Sequence, residues 1–288
     1  MALSDPEFSV APLLASELAD ADALVTAAGW NQTQEDWRVF MTEGQVLAVR
    51  SAGRVIATAA TLPYGSRFGW ISMVLVAREF QRRGLATDLL LRCIDDLTAA
   101  KLVPVLDATP AGREVYRALG FQDSWGFQRL AASQVKYGTA APSPDLTIRS
   151  IDDAAWSKLC AYDAAAFGAD RSGLLANLRR RLPQAALVAE RNGVIVGFLL
   201  GRDGRTAAQL GPLIAEDDET ALALLCRALS AISGQVFIDV ADAKADTAAF
   251  LAMQGFIPQR PLTRMLLGRS ERFDDLRRTY AVAGPEFG

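Results

Sequence analysis

Between residues 70 and 97 the apolar positions change rhythm. An almost unbroken apolar run over 70–76 predicts a buried strand. Farther on, apolar residues fall at Leu89, Leu90, Cys93, Ile94 and Leu97, the spacing of one helical face. A short basic loop, Arg78-Glu79-Phe80-Gln81-Arg82-Arg83-Gly84, lies between them. Other patterns occur twice. Gln45-Val46-Leu47-Ala48-Val49-Arg50-Ser51-Ala52-Gly53-Arg54-Val55-Ile56-Ala57 is echoed by Gln184-Ala185-Ala186-Leu187-Val188-Ala189-Glu190-Arg191-Asn192-Gly193-Val194-Ile195-Val196-Gly197. Each reads as strand, tight turn at Ala52-Gly53 or Asn192-Gly193, strand. Val105-Leu106-Asp107 is echoed by Phe237-Ile238-Asp239, and helices are predicted to stop at Leu119-Gly120-Phe121 and Gln254-Gly255-Phe256, with glycine in the terminating position.

Between the copies, Lys136-Tyr137-Gly138-Thr139-Ala140-Ala141-Pro142-Ser143-Pro144-Asp145 reads as a linker. The expected organisation is an N-terminal domain over 1–135, the linker over 136–145, a second domain over 146–270 and a tail over 271–288. The tail holds a short charged helix candidate and a loose Gly-Pro end. Each half is predicted as strand, one or two helices, three antiparallel strands, helix, strand, helix, strand. That order describes an α/β fold with a mixed, mainly antiparallel sheet flanked by helices.

Composition narrows the chemistry. With 288 residues and 51% apolar content the chain has ample material for a folded core. No apolar run approaches the ~18 residues of a membrane span. The first residues lack a secretory pattern, so a cytoplasmic protein is expected. The cysteines Cys93, Cys160 and Cys226 sit in apolar helical patterns and read as buried structural thiols. A net charge of −3 argues against nucleic acid as partner and assigns the basic loop to a small anion. The chain has no histidine, which removes histidine triads, histidine proton shuttles and nearly every catalytic zinc site.

The strand, basic loop and helix N-terminus converge on one point. Unpaired backbone N–H groups and the positive end of the helix dipole both favour an anion such as a diphosphate there. Gly84 would let backbone approach phosphate oxygens, and Ala86 is small enough for a close helix start. The hexapeptide Gln81-Arg82-Arg83-Gly84-Leu85-Ala86 resembles the Gln/Arg-x-x-Gly-x-Gly/Ala signature of the GNAT superfamily of N-acyltransferases, in a tandem arrangement. The family's proline just after the strand is Arg78 here. The resemblance covers 8–131 well; over 146–268 it rests on the internal echo. It implies a two-domain GNAT fold that uses acetyl-CoA as acyl donor and no metal. It places the carrier against Val74, Leu75, Val76, Gln81, Arg82, Arg83, Gly84, Leu85, Ala86 and Thr87.

The second copy departs from this at the loop, where Glu216, Asp217, Asp218 and Glu219 stand in place of the basic residues. Acids in a first helical turn satisfy its amides themselves. Like charges ~5 Å apart in an effective dielectric of ~20 repel by about 3 kcal/mol, so a degenerate second domain is expected that does not hold coenzyme A in the usual place and either shapes the acceptor site or packs as a structural partner. Tyr116, in the segment that resembles the family's catalytic tyrosine helix, is matched in the second copy by Leu251.

The resemblance implies direct attack by an amine on the thioester, with Tyr116 as general acid and the backbone N–H of Val76 steadying the oxyanion. Asp107 or Glu114 could serve as base through water, although Asp239 at the equivalent of Asp107 favours a structural role. Trp30 and Trp37 are candidates to line the acceptor cleft or to be core. Asp163, Asp170 and Arg171 are candidates to face the first domain or to form a local ion pair or cap. The expected reaction is N-acetylation of a primary amine on a small molecule, with no membrane partner and a homodimer left open. The alternatives are a coenzyme A-binding sensor or scaffold without turnover, and a protein or peptide N-acyltransferase.

Overall fold

The computed structural model describes residues 7–135 and 143–288. Two compact units arise by packing, Met1–Leu106 and Asp107–Gly288. Of the linker read from sequence, 136–142 lies outside the described residues.

The first unit runs β1 (Ser9–Pro12), α1 (Leu18–Ala27), α2 (Gln34–Glu43), β2 (Gln45–Ser51), β3 (Arg54–Tyr64), β4 (Phe68–Val76), α3 (Leu85–Ala99) and the start of β5 (Val103–Ala108). Its strands lie in sequence order, antiparallel from β1 to β4, and β4 is parallel to β5. The β2–β3 turn places Ala52 and Gly53 at φ 48° and 78°, the left-handed pair that a two-residue hairpin requires. The Asp36 carboxylate accepts the Thr33 N–H at 2.7 Å and fixes the start of α2. Leu85, Leu89, Leu90, Cys93 and Leu97 form the buried stripe of α3, and α3 packs on β3 and β4.

The second unit continues with α4 (Pro110–Ala118), β6 (Phe121–Ala132), β7 (Leu146–Ser150), α5 (Asp153–Phe167), α6 (Ser172–Arg181), β8 (Leu187–Arg191), β9 (Val194–Arg202), β10 (Ala208–Ala215), α7 (Asp218–Leu229), β11 (Val236–Ala241), α8 (Ala245–Met253), β12 (Ile257–Leu267) and β13 (Thr279–Ala281). Its strand order is β12-β6-β11-β13-β10-β9-β8-β7. Asn192 and Gly193, at φ 52° and 76°, close the β8–β9 hairpin as their counterparts close β2–β3.

The packing units and the sequence repeats do not coincide, and β6 is the reason. It ends the first repeat, yet it pairs antiparallel with β11 and β12, both from the second. Two buried ion pairs follow that exchange. Arg129 of β6 donates to the Asp239 carboxylate at 2.8 and 2.6 Å, while Arg264 of β12 grips Asp107 through two 3.0 Å bonds. Each aspartate therefore takes its arginine from the other repeat.

The tail differs from expectation. Residues 271–278 form a bend and a turn rather than a helix, because the Asp275 carboxylate binds the Arg277 N–H at 3.0 Å together with the Arg277 and Arg278 side chains. The Gly-Pro end is not loose: Ala281, Ala283 and Phe287 have no exposed surface. The cysteines also vary. Cys93 is buried, with its thiol pushed up to about 12, whereas Cys160 and Cys226 are only half-buried.

Candidate active site

A bulge in β4 shapes the first unit's candidate site. Met73 sits at φ 52° while almost fully buried, and the β3–β4 register shifts beside it. The Thr58 hydroxyl donates to the Met73 carbonyl at 2.9 Å, supplying the partner that the bulge removes. Thr58→Val would strip that donor and leave a buried carbonyl unpaired. It is expected to destabilise the chain by ~1–3 kcal/mol in urea unfolding, and an unchanged midpoint would remove the bulge from the account of the site.

Beyond the bulge the strand presents backbone to one side. Ala77 donates to the Ile56 carbonyl at 2.8 Å, so the neighbouring pair, Ala57 and Val76, is the non-hydrogen-bonded kind. The N–H and C=O of Val76 thus point away from β3. The carbonyl is taken by the Gln81 side-chain amide at 3.1 Å, which folds the loop back onto the strand end. The N–H of Val76 is left facing away from the strand pairing.

The loop then opens α3 without covering it. Arg82 and Gly84 have φ 62° and 83°, left-handed conformations of the kind that build anion-accepting nests of backbone amides. Gly84 is the N-cap residue and offers no side chain to the amides of Leu85, Ala86 and Thr87. Gln81, Arg82, Arg83, Gly84 and Thr87 are exposed, while the Leu85 side chain belongs to the core and leaves only its backbone for a ligand. The two arginines differ. No described residue pairs with the Arg82 side chain. Arg83 bonds Glu7 at 2.8 Å and lies 4.7 Å over the Phe8 ring. Of these two, Arg82 is the one without a partner among the described residues.

The second copy closes what the first leaves open. Asp217 caps α7, accepting the Thr220 N–H at 2.8 Å. Arg191 binds Asp217, Glu219 and Asp145 at 2.9, 3.1 and 3.2 Å, and Tyr280 donates to Asp218 at 2.6 Å. Its acids are thus partly neutralised from within. The start of α7 is occupied by its own side chains, a feature separate from the bare repulsion expected from sequence.

Other sequence candidates are placed as follows. Tyr116, in the second unit, is half-buried on α4, its ring 6.1 Å from that of Phe121. Burial raises its phenol above the ordinary value. Its hydroxyl bonds no described residue, whereas Tyr162 donates to the Val196 carbonyl at 3.0 Å. Arg113 and Arg117 both reach Asp123 on β6, which fixes α4 and holds the Asp123 carboxyl down at about 2. Leu251 is fully buried core.

Asp107 is no water-linked base. Its carboxylate has no exposure and is held by Arg264, which also binds Asp274 at 2.9 Å. Burial, with that second carboxylate sharing one guanidinium, pushes the Asp107 carboxyl up to about 6. Glu114 is exposed and pairs with Arg117 at 3.2 Å. Trp37 has no exposed surface and is core rather than cleft lining, while Trp30 is half-buried. Arg171 is locked inside its own unit by Asp163 at 2.9 Å and the Phe167 ring at 3.8 Å. Asp170 accepts the Ser172 N–H at 2.9 Å, a local turn. Thr58 and the Glu7–Phe8 support of Arg83 escaped sequence reasoning, since both join residues distant in the chain.

Comparison with known proteins finds GNAT matches in both halves of the chain. Residues 15–121 match the acetyltransferase (GNAT) family and residues 159–281 match an acetyltransferase (GNAT) domain. A Bacillus subtilis protein described as the uncharacterized N-acetyltransferase YitH is 26% identical over 74% of this chain and 75% of its own. Among solved structures, a putative acetyltransferase from Pyrococcus horikoshii superposes with TM-score 0.79 at 18% identity, covering 98% of this chain and 96% of that one. A tandem GNAT protein from the clavulanic acid biosynthesis pathway gives 0.65 at 16% identity, over 92% of this chain and 100% of its own. At such identities the likeness is one of fold.

Proposed function

Because both halves of the chain belong to the GNAT family of acetyltransferases, which makes it an acyltransferase, we propose that it transfers an acetyl group from acetyl-CoA to a primary amine of a small molecule, with the N-terminal half as the working copy. The observation that carries this reading is the contrast between two helix ends. The start of α3 is uncapped, exposed and next to Arg82; the start of α7 is capped by its own Asp217. Outward amides and an unpaired guanidinium suit the diphosphate of coenzyme A. The amides of Leu85, Ala86 and Thr87 and the side chain of Arg82 would hold it.

Acetyl-CoA supplies the activated carbonyl and a thiolate leaving group. The Val76 N–H is the group offered for the charge that grows on the carbonyl oxygen. Tyr116 is offered as the proton donor, since its hydroxyl is not spent on a described residue. Ordinary phenol and thiol values make that transfer uphill by ~2 kcal/mol, and burial makes it slightly more so while keeping the phenol protonated at neutral pH. Asp107 is spent on Arg264 and Glu114 on Arg117, so the amine is expected to lose its proton through water.

Incubation with acetyl-CoA and a panel of amines, following thiol release, tests the reading. Turnover with at least one amine is expected, and Tyr116→Phe should lower kcat about a hundredfold with little change in KM for acetyl-CoA. Binding without thiol release across the panel would favour a sensor instead.

A further inference from the structure

In β10 and β11 the second unit repeats the geometry of β4 and β5, and then fills it. β4 runs parallel to β5 through Phe68, Trp70 and their partners before its bulge. β10 runs parallel to β11 through Ala208, Gln209 and Leu210, and its register then shifts at Gly211-Pro212. Past that point the two strands diverge and admit a third. Residues Thr279 and Ala281 of β13 pair with Ile214 and Leu213 on one side, and Ala281 pairs with Val240 on the other.

The match extends to single amides. Glu216 donates to the Val196 carbonyl at 2.9 Å, as Ala77 donates to Ile56 at 2.8 Å, so Ala215 stands where Val76 stands in the first copy. The Ala215 N–H points away from β9 by the same alternation. It donates to the backbone carbonyl of Arg278 at 2.9 Å. A peptide carbonyl thus rests on the amide whose counterpart faces the acyl carbonyl in the proposed reaction.

The rest of the segment is anchored as firmly. Val282 donates to the Asp239 carbonyl at 3.1 Å, Glu286 forms a buried ion pair with Arg202, and Phe287 has no exposed surface. Arg171 donates to the Gly288 carbonyl at 2.8 Å. Gly211, at φ 142°, lets the segment approach: a Cβ there would fall 1.9 Å from the Val282 carbonyl oxygen.

We propose that residues 278–288 are a built-in occupant of the second copy's carrier slot, a short strand over Thr279–Ala281 held as a strand-adding ligand and locked by the turns of 284–288 behind it, so that this half takes no acyl carrier. The proposal rests on the assignment of the first copy only for the meaning of the slot.

Hydrogen exchange on the full chain tests it. Amides of Ala215, Ala281 and Val282 are expected to exchange more than about a thousandfold slower than in an unstructured peptide, at rates close to those of β11. Coenzyme A is expected to slow exchange at 76–88 and to leave 209–215 and 279–288 unchanged, with one equivalent bound per chain. Val282→Pro, which removes the bond to Asp239, should speed exchange across 279–288 at least tenfold without creating a second coenzyme A site. Exchange of 279–288 at unstructured rates, or coenzyme A slowing 209–215 while releasing 279–288, overturns the proposal. Coenzyme A protecting no segment would instead count against the first-copy site, and the protection of 279–288 would still decide the question of the occupant.

Discussion

Replacing Arg82 and Arg83 together by glutamate is expected to weaken coenzyme A binding by more than tenfold in calorimetry, with the melting temperature little changed. Tenfold corresponds to about 1.4 kcal/mol. Losing one charge-assisted phosphate contact accounts for about that much, and two new carboxylates beside a diphosphate add repulsion. The residues are exposed, so solvent screening keeps the effect from growing far beyond this. The single variants should not be equal. Arg82→Ala should account for most of the loss, because Arg83 is held by Glu7 and the Phe8 ring. Arg83→Ala should instead loosen the packing of residues 7 and 8. Unchanged affinity in the double variant would remove the carrier assignment.

The second large effect concerns stability. Asp239→Asn leaves the Arg129 guanidinium buried with no carboxylate opposite it, since Asp239 supplies both of its bonds. Breaking such a pair from one side typically costs about 3–5 kcal/mol. Asp107→Asn is expected to be milder, about 1–2 kcal/mol, because Arg264 keeps Asp274. The two also differ in pH dependence. The folded carboxyl of Asp107, at about 6, lies above its unfolded value, so its ionisation opposes folding as pH rises from ~4 to 6. The advantage of wild type over Asp107→Asn should therefore narrow across that window. Urea unfolding at pH 4.5 and 7, by ordinary two-state treatment, measures both; equal losses in the two variants would refute the distinction drawn between them.

Much of this was legible in the chain because it is local. The hairpins at Ala52-Gly53 and Asn192-Gly193 are set by two residues each, and the structure gives all four the positive φ they imply. The uncapped start of α3 and the capped start of α7 follow from Gly84 and Asp217. What periodicity does not encode is which sheet a strand joins. β6 reads as an apolar strand whichever partners it takes, and its pairing with β11 and β12 depends on residues over a hundred positions away. One signal existed: Arg129 and Arg264 each lie nine residues beyond the helix-ending Gly120 and Gly255, and each repeat ends its Val/Phe-Leu/Ile run in an aspartate. The segment 271–288 misled for another reason. Its charged residues 271–278 mimic a solvated helix, but they serve as turn formers that deliver the apolar residues Tyr280 and Ala281 into a strand. Trp37 likewise shows that an aromatic beside a capping box says nothing about which way it faces.

The crossed pairs also dictate an order of events during synthesis. Asp107 meets its arginine across 157 residues and Arg129 its aspartate across 110. A ribosome that has released only the first repeat has made a carboxylate and a guanidinium whose counterparts do not yet exist, so residues 107–132 stay incompletely neutralised until the second repeat emerges. Contacts this remote slow folding, and a gene cut at the repeat boundary would yield two fragments that each carry an orphaned buried charge.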